Sequence, residues 1–329
     1  MAFYSYIFSA NYKRYLNNLK KIAKKENKSY IKMIFDTAYC VFVYGFCLSD
    51  YLNYQLYNKK RKERKTYLST RKENKFYEIV SPSAYKKRYT VKPTFLNEFK
   101  EYTKRDFIVP KEDNYDEFIK FLDKHEVFMS KPYDGLGGAD VKKEYVKDIA
   151  DRKEYFKKAI DNRIFLEEVV RQHKNMNKLC SKSVNTMRIM TFNDNGKPRI
   201  IWMGLRVGNG INSIDNFHAQ GMAVNIDINT GKLVGNAIDK DLNEYEVHPL
   251  TNVKFDGFQI PCFNEAKEMV LKASLESDKI LVVGWDVAIS ESGPVIIEGN
   301  RRPGFDIVQV LSGGKVDMVN DVLECLKRK

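Results

Sequence analysis

Cysteine is scarce in this sequence: Cys40, Cys47, Cys180, Cys262 and Cys325 are the five among 329 residues, with no C-x-x-C pair and no zinc-like cluster with histidine. That pattern argues against a disulfide framework and suits a reducing compartment. The first residues lack the charged, apolar, small-residue order of a secretory leader, so a cytoplasmic protein is expected. Cys180 shows no His and Asn partner pattern of a thiol nucleophile and reads as a structural thiol. Long hydrophobic runs are missing too. The longest, residues 33–48, is broken by Asp36 and Gly45 and falls short of the roughly 20 apolar residues of a membrane span. It can still lie on a bilayer surface. A Gly-Lys-Ser/Thr phosphate loop, internal repeats and low-complexity tracts are also absent.

What is present is charge, unevenly placed. The chain carries a net +13, yet residues 1–110 hold 24 Lys and Arg against 9 Asp and Glu, while the remainder holds 32 against 34. The basic surplus therefore belongs to the N-terminal third, where anionic membrane or nucleic acid would be the natural partner. The run KKRKERK at 59–65 has no nucleic-acid-binding module around it, and no nucleic-acid partner is expected. Residues 12–28 set Tyr12, Leu16, Leu19 and Ile22 at helical spacing among lysines. Such a basic amphipathic helix either packs on the rest of the protein or, with residues 1–65, touches the inner face of an anionic membrane.

Texture divides the chain into four segments, and 43% hydrophobic residues are ample for packed cores. Residues 1–75, almost free of Gly and Pro, read as a helical basic lobe. Residues 76–125, punctuated by Pro82 and Pro93, read as a small α/β unit with a capped helix at 113–122. Residues 126–182 give a strand at 127–131, a glycine-rich turn, a polar helix and the strand RIFLEEVV. Residues 183–329 are mainly strands: 184–192 and 199–206 about an Asn195-Gly196 turn, a further turn at 229–231, then 280–289 and 295–297. Helices at 262–277 and 315–327 complete them. The fold class expected is α/β (α+β).

The last strand pair carries the chemistry. In Gly284-Trp285-Asp286-Val287-Ala288-Ile289, Asp286 and Ala288 share a face; after the 290–294 turn comes Val295-Ile296-Ile297-Glu298-Gly299-Asn300. A hairpin brings Asp286 and Glu298 to one end with Asn300 beside Glu298. Two carboxylates and an amide oxygen are hard ligands suited to Mg²⁺ held also by phosphates. Arg188 and Arg206 lie mid-strand in apolar alternations, where an unpaired charge is costly; each meets either an anion in a site or a structural carboxylate.

The string D-x-A-I, turn, I-I-E-G-N-x-x-P-G resembles the metal-binding end of ATP-grasp ligases. Together with SVNTMRIMT at 183–191, DNFHAQG at 215–221 and FDGFQIP at 255–261, it is similar to the sugar-transfer associated ATP-grasp family over about residues 50–320. The resemblance implies ATP held between two α/β subdomains, with ATP and Mg²⁺ as cofactors. It implies Asp286, Glu298 and Asn300 on the metal, and Arg188 and Arg206 on the transferred phosphoryl group. Lys131 and the Gly135, Gly137 and Gly138 lid would meet the phosphates. Lys92 would be the earlier ATP lysine, and Glu167, Glu168 and Val170 would border adenine. Asn216 and His218 would face substrate. Gln220 stands where glutamate ligases have glycine. Arg301 and Arg302 replace the Thr or Ser of many amide ligases, favouring an anionic acceptor such as a uronic acid or nucleotide sugar, unless one of them pairs with Asp306. The activity implied is carboxylate–amine ligation through an acyl phosphate, decorating a bacterial surface-polysaccharide precursor. The alternatives are a phosphotransferase of the same fold and a non-catalytic nucleotide-binding partner of membrane glycan enzymes.

Overall fold

The computed structural model describes residues 11–134, 140–210, 221–277 and 279–328. The chain forms two compact units, one of Met1–Ser83, Lys240–Asn243 and Arg302–Lys329, the other of Ala84–Asp239 and Glu244–Arg301. The N-terminal lobe expected over 1–75 is thus part of a unit that also takes in the last 28 residues of the chain.

The first unit is helical. Helix α1, Tyr12–Lys25, is capped by the Asn11 side chain, and α2, Tyr30–Tyr39, by that of Ser29. A π-helical turn, Cys40–Tyr44, extends α2 to Gly45 at φ 79°. A Cβ there would meet the Arg71 side chain at 2.7 Å, so both the left-handed stop and the space call for glycine. The buried face of α1 is Tyr15, Leu19 and Ala23, with Tyr12 and Leu16 exposed, which corrects the face expected from spacing. The reason is polar: the Tyr15 hydroxyl pairs with Thr37 Oγ1 at 2.7 Å inside the core, and this fixes the rotation of α1 on α2. Arg64 closes over Asp36 with two hydrogen bonds of 2.6 and 2.7 Å. Helix Asp306–Ser312, not expected from the sequence pattern, presents Gln309 to the Leu68 backbone, accepting from its N–H at 2.6 Å and donating to its C=O at 3.1 Å.

In the second unit, the stretch expected as alternating strands and helices up to 125 is mostly helical. It contains Lys87–Thr90, Lys92–Glu98, Lys100–Thr103 and Tyr115–Lys124, with a single two-residue strand, β1, Phe107–Ile108. Pro93 had suggested a break, but it occupies the first turn of Lys92–Glu98, where no intrahelical donor is lost. Tyr89, Phe95 and Phe99 cluster with Trp285, so tertiary aromatic packing decides the local conformation.

Two antiparallel sheets follow. The smaller has the order β1-β4-β2-β3, with β2 Val127–Pro132, β3 Lys142–Tyr145 and β4 Ile164–Glu168; helices Tyr115–Lys124 and Arg152–Asp161 cover it through Phe118, Phe121 and Phe156. The larger is made of β5 Thr186–Asp194, β6 Lys197–Val207, β7 Met222–Ile226, β8 Leu233–Asp239, β9 Glu244–Tyr245, β10 Val282–Ser290 and β11 Gly293–Asn300. Its order is β11-β10-β5-β6-β7-β8-β9. Asn195 and Gly196 turn between β5 and β6 with φ 51° and 80°, the two-residue hairpin that Asn-Gly favours. Every residue of β10 is buried. Helix Phe263–Glu276 supplies one wall of that core through Ala266, Val270 and Ala273.

Candidate functional site

Asp286 lies at the meeting point of three strands. It is opposite Arg188 of β5 on one side and Glu298 of β11 on the other. A β-bulge on β11 makes the second pairing: Ile296 faces Val287, Glu298 faces Asp286, and Ile297 is the extra residue between them. Without it Glu298 and Ile296 would share a face; the bulge re-aims the glutamate toward Asp286.

The charges around Asp286 nearly close on themselves. Arg188 grips both its oxygens through Nε and NH2, the latter at 3.2 Å, and Arg206 adds an ion pair at 2.8 Å. Thr186 Oγ1 accepts from Arg206 Nε and NH2 at 3.1 and 2.8 Å, aiming that guanidinium. Burial pushes the Asp286 carboxyl up, but the two arginines outweigh it and hold it at about 2. Glu298 goes the other way: burial first, then the negative charge of Asp286, raises its pKa. Asn300 Nδ2 lies 3.3 Å from Glu298 Oε1 and 3.5 Å from Asp286 Oδ2. A divalent cation here would meet two carboxylates and, with the amide turned over, a third hard oxygen. The donor set fits Mg²⁺.

A second cluster sits on the smaller sheet. Glu167 of β4 is buried and receives the Lys131 ammonium from β2, while Arg105 approaches its other oxygen at 3.7 Å. Burial raises the Glu167 carboxyl, and Lys131 and Arg105 together bring it below the usual range. Lys92, at the start of its helix, donates toward Pro132 O at 3.5 Å; burial lowers its pKa, while Glu298 and Glu167 pull the other way and Lys131 adds to the lowering. Lys131 and Arg105 pair with this carboxylate, and Lys92 feels both it and, more strongly, Glu298; cations so placed suit phosphate oxygens.

Arg105 is the residue that sequence reading missed. Its NH1 donates to Ile296 O at 2.9 Å and its NH2 to Ile297 O at 3.2 Å, the carbonyls of the bulge that re-aims Glu298. The side chain is buried, and its Nε has no hydrogen-bond partner among the described residues. One guanidinium therefore ties the Glu167 cluster to the backbone that sets Glu298.

Other expected residues fall elsewhere. Glu168 turns from Glu167 and accepts from Asp106 N at 3.2 Å. It forms with Asp106 and His125 a group of metal-ligand type, but the Lys124 ammonium already neutralises Asp106. Val170 lies half-buried beyond the end of β4. Arg301 ends the second unit, and Arg302 belongs to the first, its guanidinium 5.9 Å from the Tyr77 ring centre. Gly135, Gly137, Gly138, Asn216 and His218 lie outside the described residues. Cys180 does have a histidine near it. Burial pushes its thiol up, but hydrogen bonds with His248 and Ser183 bring it down to about 7. It is enclosed from solvent, which suits the structural role expected of it.

Comparison with known proteins gives a family and a set of distant folds. The model of the family described as sugar-transfer associated ATP-grasp matches residues 54–321. No curated protein sequence matches the chain. Among solved structures, the ATP-grasp ligase PsnB complexed with the precursor peptide PsnA2 and AMPPNP is 15% identical at a TM-score of 0.45, covering 76% of this chain and 63% of that one. The D-alanine-D-alanine ligase from Coxiella burnetii is 8% identical at 0.43, over 73% and 59%. D-cycloserine synthetase DcsG is 11% identical at 0.42, over 76% and 74%. The chain spans less than two thirds of the length of the PsnB chains it matches.

Proposed function

Because this chain belongs to the sugar-transfer associated ATP-grasp family, and so has the ATP-grasp α/β fold, we propose that its second unit binds Mg·ATP and joins a carboxylate to an amine with release of ADP. The observation that carries the reading is the pair of buried clusters, one with the carboxylates Asp286 and Glu298 set against Arg188 and Arg206, the other with Lys131, Arg105 and Lys92 around Glu167.

Asp286, Glu298 and Asn300 would hold Mg²⁺, which when bound supplies charge neutralisation for the phosphates. Lys131 and Lys92 bind phosphate oxygens, and Glu167 keeps Lys131 placed. Arg188 and Arg206, already oriented by Asp286 and Thr186, face the charge that spreads over a phosphoryl group in transfer, so catalysis is mainly positioning and electrostatics. The substrate carboxylate attacks the γ-phosphorus, ADP leaves, and an amine displaces phosphate from the acyl phosphate to give the amide. Water must be kept out meanwhile. The glycines at 135, 137 and 138 would supply that lid, and Asn216 and His218 would meet the acceptor. A uronic acid or nucleotide sugar of a surface polysaccharide suits an anion-binding Arg301 and the family description. We place this chemistry in the cytoplasm.

Hydroxylamine trapping tests the reading: the full chain with Mg·ATP and a uronic acid panel yields hydroxamate and ADP together. A stable phosphorylated sugar would instead make it a phosphotransferase, and no ADP release with any acceptor would make it a binding protein.

A further inference from the structure

The first unit carries an apolar surface that the ATP site does not use. Along α2 and its π-helical extension, Ile31, Phe35, Tyr39 and Phe42 recur every three or four residues and form one stripe, with Val43 beside it. Each is between 42% and 72% exposed. The opposite face of the same helix is already satisfied, burying Met33, Thr37, Cys40 and Val41. A helix apolar on both faces has one face left for a partner, and contiguous exposed apolar surface marks an interaction site. Tyr12, Leu16, Ile34, Ala38, Val41 and Phe42 line an apolar groove of about 190 Å³ alongside, widening the patch toward α1.

Charge identifies the partner. Residues 12–32 contain eight Lys and Arg and one acid, Glu26, and all eight cations are exposed. Asp36, the acid within α2, is neutralised by Arg64. We propose that this α1–α2 surface docks on an anionic lipid bilayer, the stripe entering the headgroup boundary and the lysines meeting lipid phosphates. A second copy on the same face would bring the two basic flanks together, and like charges oppose that. The contact is with the membrane surface: no described helix is long and apolar enough to cross a bilayer. The stripe, roughly 18 Å long at 1.5 Å per residue, can lie flat in the interface.

Co-sedimentation of the full chain with phosphatidylcholine vesicles and with mixed phosphatidylcholine–phosphatidylglycerol vesicles tests this. Binding is expected to the anionic vesicles only. Phe35→Ser with Phe42→Ser should weaken it about tenfold or more, because two interfacial aromatics are lost. Lys20→Glu with Lys24→Glu should weaken it about 25-fold or more, since each basic residue near the surface contributes about one factor of five. Both pairs change exposed side chains and should keep the melting temperature and ADP release of the parent, which separates failure of docking from failure of the ATP site. A parent that stays with the supernatant in both lipids, or binding untouched by both pairs, overturns the proposal. So does a dimer that the Phe35/Phe42 pair dissociates without altering vesicle binding.

Discussion

Asp286 and Glu167 are both buried carboxylates flanked by two cations each, yet their surroundings lean in opposite directions. Around Asp286 a second acid, Glu298, brings the count to two acids and two arginines, and burial with the charge of Asp286 raises the pKa of Glu298. Around Glu167 the extra member is a third cation, Lys92. In a low-dielectric interior a cation beside the first set would favour the ionised form of Glu298, and an anion beside the second would offset its cations. Mg·ATP offers both at once, which is why the two clusters make more sense together than either does as a structural salt bridge.

Breaking the acid side should have the largest effect. Glu298→Gln keeps size and hydrogen bonding but removes the charge a metal needs, and Mg·ATP turnover is expected to fall about a thousandfold or more, read as ADP release. Its melting temperature should hold, because the amide fills the same space and keeps the hydrogen bonding. Asp286→Ala would be a poorer probe: it strands two buried guanidiniums, a change of about 3–5 kcal/mol in stability. Full activity in Glu298→Gln would reduce the centre to a structural one. On the cation side, Lys131→Met should lower kcat/KM for ATP by about 10- to 100-fold, the loss of one or two charge-assisted hydrogen bonds to phosphate. A change confined to the acceptor KM would move Lys131 out of the nucleotide site.

The two sides were not equally legible in the sequence. Asp286, Glu298 and Asn300 stand in apolar strands, where any polar residue draws the eye, and a hairpin brings the two strands together, though the bulge sets which residues face each other. Arg188 and Arg206 were legible for the same reason, though the sequence could not say that Asp286 would be their common partner. Arg105 was not legible at all. It follows Lys104 in YTKRDFIVP, within the basic N-terminal third, where one more cation carries no signal, and its partners are Glu167 and the bulge carbonyls, remote in sequence. The bulge itself is invisible to alternation, because one extra apolar residue among Val295, Ile296 and Ile297 leaves the pattern unchanged. In α1 the error was of another kind: with tyrosines on two faces, a buried hydroxyl pair rather than hydrophobic spacing chose the inner one.

Arg105 is also where the two clusters can be uncoupled. Arg105→Lys keeps the charge near Glu167 but cannot reach both Ile296 O and Ile297 O with a planar fork. Stability should drop by about 1–3 kcal/mol in denaturant unfolding. If the guanidinium positions Glu298, the variant should also need more Mg²⁺ for half-maximal rate, whereas a purely structural role leaves the Mg²⁺ dependence where it was.

The smallest effect concerns an acid with no such company. Glu73, in the first unit, is pushed up to about 8, first by burial and then by Asp50 and Asp306; a backbone N–H of Phe305 and the charge of Arg302 offset only part of this. Its folded pKa lies above the unfolded one, so between about pH 4.5 and 8 the native state binds more protons than the unfolded chain. Stability from this group is complete below that window and declines as pH rises through it, the reverse of what Asp286 contributes. Melting of the parent should therefore fall by a few degrees between the two ends of the window, and Glu73→Gln, which cannot ionise, should flatten the decline. A parent whose melting temperature rises over the same interval would mean that Glu73 ionises with a cation beside it, and that in this protein burial alone does not separate a neutral acid from a charged one.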